Sequence, residues 1–535
     1  IGLFLFHILG LRNFVIKKTN NCFAVENKNG MKSEVVMIQP KTSLTGSFVK
    51  MLPLGLLYAS YKIVNRGFKV HILDVRVNPS SWETNLEELI NDRTLVIGLT
   101  IMSGISITEG IKISRYIKDR WPRLNVVWGG PHPTFSPNDV MQEQSVDFVI
   151  RGYGAESFYQ LILNLTGDEE LMPLNKIKGL IWKDSEEAVH INDTSNSFEF
   201  IHYKEIPYHL IKDYSVYRHI DSNERVFSMY SVMGCPYKCT FCSSPTQYAG
   251  IKKKWDSYPI QEIIEHIKML KEEYGATFIY FIDDDSFVDL KHVENIIDEI
   301  NRIGIRIKLG FRGARVNEVA RMSDDFLEKL EDAGTNTMHI GLESGSNRLL
   351  KMTKKNTTVD QIIEINKKLA RHTKIKTFYN FIVGFPTETI EETKMTRDLI
   401  LRLISDNPLC CVIPLNKPRP LPGTELFDLA VQHGYKTPET LIDWGKYDVE
   451  SSDYNPVWLT EKHNKFIRMM FLCMYFIDDK IFKVVEDEGL RLKLFRVLAV
   501  LYKPVALFRF RRGFYRFLIE DKVYTFLNHL LSEKA

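Results

Sequence analysis

The chain has 535 residues, 44% hydrophobic and 26% charged, with a formal net charge of +3. That length allows two or three domains with their own cores, and the charge balance gives no reason to expect nucleic acid as a partner. Seven cysteines in so long a chain, three of them between Cys235 and Cys242, do not resemble a secreted disulfide framework and point to a metal site in a reducing, cytoplasmic compartment.

The opening run Ile1–Gly10 is too short to span a bilayer, and basic residues follow it rather than precede it. It matches neither a signal peptide nor a membrane helix. Met31 stands just before the first strand pattern, so residues 1–30 are expected to be a disordered or non-native extension. From Glu34 short apolar runs alternate with amphipathic stretches: Val35–Ile38, a helix near Leu54–Val64, Val70–Leu73, Leu95–Leu99, a helix near Ile107–Ile117, Val126–Trp128 and Phe148–Ile150. This alternation predicts parallel βαβ units with helices on both faces, hence an α/β, doubly wound, Rossmann-like domain over residues 31–165. Ligands of such a sheet sit beyond the carboxyl ends of its strands. Small or polar residues occupy the loops there: Pro53 and Gly55; Thr100, Ser103 and Gly104; Gly129, Gly130 and His132; Gly152, Gly154 and Glu156.

Residues 166–225 lose the rhythm and read as a connecting segment with short strands around Gly179–Trp182. Regular alternation resumes in residues 226–430. Strands are expected at Ser228–Val232, Phe278–Ile282, Ile305–Phe311, Thr337–Gly341, Thr377–Val383 and Cys410–Pro414, with helices near 260–273, 290–303, 323–333, 359–371 and 389–405. Six such units are too few for a closed eight-fold barrel and predict a partial (βα)6 barrel, open on one side. Residues 431–535 turn helical, aromatic and basic, ending in Phe508–Phe517, where aromatics alternate with arginines. Such a segment can pack on the barrel or touch a membrane surface.

Gly234–Cys242 places three thiolates at the spacing C-x3-C-x2-C. Thiolates are soft, strongly donating ligands suited to iron–sulfur clusters. Three ligands for four irons leave one iron open to a small chelating molecule, such as S-adenosylmethionine through its amino and carboxylate groups. A zinc site or three reduced cysteines are the alternatives, but structural zinc draws four protein ligands, usually from two knuckles, and no second Cys or His pair stands nearby.

With Phe241 before the last cysteine, and with Phe281–Phe287, Gly341–Ser346, Gly384–Glu388 and Pro422–Thr424 following in order, residues 226–430 resemble the radical S-adenosylmethionine superfamily. The order and chemistry of the segments in 31–165 are similar to the cobalamin-binding domain found ahead of many such barrels. The resemblance, to cobalamin-dependent class B radical methyltransferases, implies a [4Fe–4S] cluster on the catalytic cysteines Cys235, Cys239 and Cys242. It implies S-adenosylmethionine contacts from Phe241, Asp284, Asp285, Glu343, Ser344 and Gly384, with Glu343 at the ribose or amino group. For cobalamin it implies contacts from the loop residues named above, Pro53 to Glu156. A small-molecule substrate and an external low-potential electron donor, such as flavodoxin or ferredoxin, complete the set. One departure concerns cobalt: many cobalamin domains offer a histidine from an Asp-x-His-x-x-Gly loop after the first strand, whereas Gln39–Gly46 contains none, so the lower face of cobalt is expected to be water-bound or empty. Methylthiolating relatives bind a second cluster through N-terminal cysteines, but no cysteine lies between Cys22 and Cys235. A single cluster is expected, with Cys410, Cys411 and Cys473 as buried apolar residues. The implied activity is transfer of a methyl group from methylcobalamin to an unactivated carbon or phosphorus through a 5′-deoxyadenosyl radical. Alternatives are a cobalamin-binding radical oxidase, cyclase or ring-rearranging enzyme without methyl transfer, and a non-catalytic cobalamin or redox sensor.

Overall fold

The computed structural model describes residues 34–42, 51–168, 170–217, 224–412, 415–446, 455–478, 490–518 and 521. The expectation for residues 1–30 lies outside the described residues, as does most of the loop after the first strand. The N-terminal sheet contains β1 (Glu34–Gln39), β2 (Lys69–Asp74), β3 (Thr94–Thr100), β4 (Asn125–Gly129), β5 (Phe148–Ile150), β6 (Leu180–Lys183) and β7 (Val189–Ile191) in the order β2-β1-β3-β4-β5-β6-β7. Every residue of β1 is buried, because helices cover both faces of a parallel sheet, and this explains its unbroken apolar run. The strands from β2 to β5 pair in parallel, and the order reverses between β1 and β3, which opens a ligand-binding crevice there.

The domain is larger than the alternation predicts. β6 is the short strand expected around Gly179–Trp182, though only within a connecting segment, and with the unexpected β7 it adds to β5 as two antiparallel strands. Antiparallel additions need no crossover helix, so they leave no helical rhythm in the sequence. The rest of the connecting segment also packs: Ile201, Ile206, Tyr208 and Ile211 are buried in the core shared with the barrel.

The second sheet is a six-stranded parallel array in the order β15-β14-β13-β12-β11-β8, built from β8 (Val226–Met229), β11 (Phe278–Phe281), β12 (Lys308–Arg315), β13 (Thr335–Glu343), β14 (Lys376–Phe381) and β15 (Cys410–Val412). β15 and β8 end the array without pairing, which gives the expected partial barrel. The expected first strand Ser228–Val232 is in fact broken. After β8 the chain bends into β9 (Val232–Gly234), which pairs antiparallel with β10 (Trp255–Ser257). The buried Asp283 carboxylate causes the bend by accepting from Ser231 N at 2.8 Å, Val232 N at 3.1 Å and Ser231 Oγ at 2.6 Å. Backbone groups used in that way are not available to a strand ladder. Capping boxes start two of the outer helices, Thr358 with Gln361 and Thr389 with Glu392, each satisfying two otherwise orphaned amides. Cys410, Cys411 and Cys473 are buried. In the C-terminal helix Leu490–Arg512, Ala506 and Phe510 pack into the barrel core, whereas Val500, Leu501 and Phe508 are exposed.

The two sheets share one core. Leu54, Leu57 and Tyr61, on the helix Leu54–Asn65, pack with barrel residues, and Tyr217 donates to Asp74 at 2.9 Å. The chain also returns late to its own beginning. In the short helix Leu441–Gly445 the buried Trp444 donates through Nε1 to Asp139 at 3.1 Å and packs on the His132 ring at 5.7 Å. Replacing Trp444 with Ala should cost about 3–5 kcal/mol, the range for a buried Trp, and lower the thermal midpoint of a calorimetric scan. A midpoint unchanged from wild type would mean that this helix is not part of the N-terminal core.

Candidate functional site

The cysteine loop is fixed by contacts from three separate parts of the chain. It leaves β9 at Gly234, where φ is +79° and a Cβ would strike Lys254 O and the Phe198 ring, so only glycine fits. Thr240 N donates to Thr353 O at 3.3 Å, and Leu426 N donates to Thr240 O at 2.9 Å. Cys239 is buried, and Arg315, at the end of β12, donates to its Sγ at 2.9 Å. A buried guanidinium needs hydrogen-bond partners, and this sulfur is one of them. Cys242 Sγ accepts from Ser244 N at 3.5 Å. Among the described residues no three metal-ligating side chains form a group placed to hold a metal ion; the three cysteines share one loop after β9. Three soft donors on one loop are the kind of ligand set a [4Fe–4S] cluster takes.

The acidic run after β11 divides into three roles. Asp283 shapes the backbone, and burial raises its pKa to about 6. Asp284 is exposed at the mouth, where it accepts from Tyr248 OH. Asp285 lies under the cysteine loop against Glu318, and burial, followed by repulsion from Glu318, holds its carboxyl well above the usual range. Tyr237 OH donates to the same Glu318 at 2.7 Å. Of the two acids expected at S-adenosylmethionine, Asp284 thus faces the mouth and Asp285 is committed to the support beneath it.

Glu343 ends β13 at φ +63°, a left-handed conformation that costs energy in a residue other than glycine. Its carboxylate pairs with the buried Lys355 at 3.0 Å. Gly341 leaves room for this pair, since a Cβ there would stand 2.9 Å from Lys355 Nζ. A carboxylate at the end of a barrel strand is of the type that accepts from ribose hydroxyls or an ammonium, and here its partner is Lys355. The neighbouring Ser344 hydroxyl is turned toward Thr396 at 3.4 Å. Gly384 N donates to the buried Glu388 at 2.7 Å, while its carbonyl accepts from Trp458 Nε1 at 2.8 Å. Phe241 packs on Phe385 with ring centroids 6.1 Å apart. These last three residues therefore shape the loops around the mouth.

Between the two sheets lies a cleft with about 1130 Å³ of empty volume, counting its open mouth. One wall is built from Gly55, in the first turn of the helix Leu54–Asn65, and from Thr100, Gly129, Gly130, Gly152 and Gly154 at or just beyond strand ends, and the other from Tyr230, Met233 and Gln247 beside the cysteine loop. Gly130 has φ +98°, and a Cβ there would stand 2.8 Å from Thr100 Oγ1 and 3.0 Å from the Ile101 backbone. A floor of glycines at a switch point leaves the backbone open to a large flat ligand, the kind of surface a corrin needs. Tyr153 stacks on Tyr248 at 5.9 Å and 8°, and Phe198 meets both edge-on at 5.6 and 5.7 Å. This three-ring junction runs from the glycine loop to Asp284.

Five residues expected at cobalamin lie outside the cleft wall. His132 is fully buried, with Nδ1 3.1 Å from Ser103 Oγ and its ring on Trp444; burial lowers its pKa to about 4, so it is neutral. Pro131 lines the cleft in its place. Gly104 and Pro53 precede helices, and Glu156 pairs with Lys62 and accepts from Gln160 at 2.8 Å. Conversely, Tyr153, Tyr248, Arg315 and Lys355 escaped the sequence reading. Tyr248 stands six residues after Cys242, a hint that was available, but Arg315 and Lys355 carry no local signal.

Residues 229–400 match the family model of the radical SAM superfamily, and residues 47–162 match that of the B12 binding domain. The chain is 28% identical over 379 residues to the uncharacterized methyltransferase PH0819 of Pyrococcus horikoshii, covering 69% of this chain and 76% of that one. It is 26% identical over 288 residues to the anaerobic magnesium-protoporphyrin IX monomethyl ester cyclase of Rubrivivax gelatinosus, covering 52% of this chain and 49% of that one. Its fold is similar to that of OxsB, a cobalamin-dependent S-adenosylmethionine radical enzyme solved with aqua-cobalamin and S-adenosylmethionine bound, with a TM-score of 0.64 at 16% identity over 95% of this chain and 76% of that one. The two family models fall on the two sheets whose strand ends share the cleft, and the chain belongs to the radical S-adenosylmethionine enzymes that carry a cobalamin-binding domain.

Proposed function

We propose that the protein is a methyltransferase that moves a methyl group from cobalamin to an unactivated carbon or phosphorus of a small molecule. The observation that carries this reading is the shared cleft: Met233, two residues before Cys235, lines the same space as Gly130 and Gly152. A methyl carrier in the cleft would thus face the place where the radical forms. When bound, the [4Fe–4S] cluster and S-adenosylmethionine supply a 5′-deoxyadenosyl radical, and cobalamin supplies the methyl group. The chain positions them. Cys235, Cys239 and Cys242 would hold the cluster, while Glu343 and Asp284 would take the ribose and amino groups of S-adenosylmethionine. Gly55, Thr100, Gly129, Gly130, Gly152 and Gly154 would admit the corrin. The rings of Tyr153, Phe198 and Tyr248 close the seam between the two sites and exclude water from it. PH0819, named as a methyltransferase, supports the reading. The cyclase relative supports a second one, radical oxidation or cyclisation without methyl transfer. A low-potential flavodoxin or ferredoxin would deliver the electron, in the cytoplasm. Among the described residues no helix is long and apolar enough to cross a membrane.

Cobalamin should bind without a protein imidazole, because His132 is turned onto Trp444. The electron paramagnetic resonance spectrum of the cobalt(II) form should be the same in wild type and His132→Ala; a nitrogen splitting lost in the variant would make His132 a ligand. Gly130→Ala should weaken cobalamin binding about tenfold or more through backbone strain and the clash with Thr100, as read by absorbance titration, and wild-type affinity in that variant would remove Gly130 from the cradle.

The reaction itself is tested by counting products. With substrate and a low-potential reductant, S-adenosylhomocysteine and 5′-deoxyadenosine should appear in about equal amounts and in step with methylated product. Deoxyadenosine forming alone, with cobalamin still required, would replace methyl transfer by the oxidative or cyclising reading.

A further inference from the structure

We infer that Arg315 sets the reduction potential of the cluster and so controls how readily it accepts the electron that starts the reaction. The inference rests on the assignment of Cys235, Cys239 and Cys242 as cluster ligands. Arg315 is 5% exposed, and its guanidinium is held from several directions. Nη1 donates to Cys239 Sγ at 2.9 Å and Nη2 to Lys355 O at 2.7 Å. The guanidinium carbon lies 3.9 Å from the Tyr237 ring centroid, and the residue's own backbone N donates to Glu318 at 3.1 Å. A side chain fixed at this many points cannot follow a mobile counterion, so its charge stays at the Cys239 corner.

The surroundings of the three cysteines differ. Cys239 faces a cation, whereas the neighbours that act on Cys235 include the acids Asp285 and Asp284. Reduction would add one electron, and no proton, to a cluster whose Cys239 corner is buried. A fixed cation with a hydrogen bond to a ligand sulfur stabilises that extra negative charge, and hydrogen bonds to the sulfurs are among the factors that set cluster potentials. The electron comes from a one-electron, low-potential donor, either a flavodoxin, a ferredoxin or dithionite. Nη2 gives the same residue a second function. By binding Lys355 O it anchors the turn that presents Lys355 to Glu343, so the cluster corner and the expected S-adenosylmethionine carboxylate are set by one guanidinium.

The experiment is an anaerobic redox titration, followed by electron paramagnetic resonance, of reconstituted full-length wild type, Arg315→Gln and Arg315→Lys without S-adenosylmethionine, with iron and sulfide counted in each. Wild type should hold about four of each. In Arg315→Gln the ratio of reduced to oxidised cluster at the wild-type midpoint should fall about tenfold, which is 59 mV for a one-electron couple. Arg315→Lys keeps the charge but cannot reach both acceptors from one compact ammonium, and should show a smaller fall in the same direction. A fully loaded Arg315→Gln with an unchanged midpoint would overturn the inference. If Arg315→Gln fails to load, Arg315→Lys decides: a lowered midpoint supports the inference, and an unchanged or raised one overturns it. A wild type that binds no iron would instead overturn the cluster assignment.

Discussion

The contact among Tyr153, Phe198 and Tyr248 is the point on which the site depends. Each ring comes from a different region: the loop after the last parallel strand of the N-terminal sheet, the connecting segment, and the turn after the cysteine loop. Parallel sheets concentrate their ligands at the carboxyl ends of their strands, so two such sheets can cooperate only if those ends face each other. They then need a seam that is apolar enough to pack and polar enough at its tips to meet hydrated ligands. Tyrosine supplies both, an apolar body with a hydroxyl at its end. Tyr248 uses its hydroxyl on Asp284, so the packing contact also orients an acid at the barrel mouth.

The support beneath the site is more polar than the core of either sheet. Asp285, Glu318, Arg315 and Lys355, with the partly buried Tyr237, form a continuous network beside the cysteine loop and Glu343. Buried polar networks are costly unless nearly every member is satisfied, and when they are satisfied they rigidify. The left-handed backbone at Glu343, and also at Lys354 and Asn356 in the adjoining turn, stores strain that the same network holds in place. Rigidity of this kind suits an enzyme whose reactive species must be steered to one atom of its substrate.

Much of this was legible from the chain alone, for physical reasons. The spacing of Cys235, Cys239 and Cys242 is local chemistry, and a cluster requires it whatever the fold. The parallel strands announce themselves because burial on both faces demands long apolar runs such as Val35–Ile38. The strand-end glycines were readable because the backbone at Gly130 and Gly152 takes positive φ. The misses share a cause of the opposite kind. β7, and the addition of β6 to the sheet, are antiparallel features without a helix to mark them, and the break after β8 is made by Asp283, more than fifty residues away. The orientation of His132 is decided by Trp444, and the importance of Arg315 by a cysteine on another segment. Each is a long-range contact that no local pattern encodes.

The packing of Trp444 against Asp139 and His132 also has a bearing on how the protein is made. The partners are 305 residues apart, so at synthesis rates of about 5–20 residues per second the N-terminal domain waits about 15–60 s for the side chain that covers this part of its core. During that interval the nascent sheet must hold together with an apolar surface around His132 open to solvent, while the barrel is still being assembled behind it. Closure of the first domain is therefore among the late events of folding, and a chain cut short before residue 441 would carry two nearly complete sheets with an unsealed, aggregation-prone face around His132.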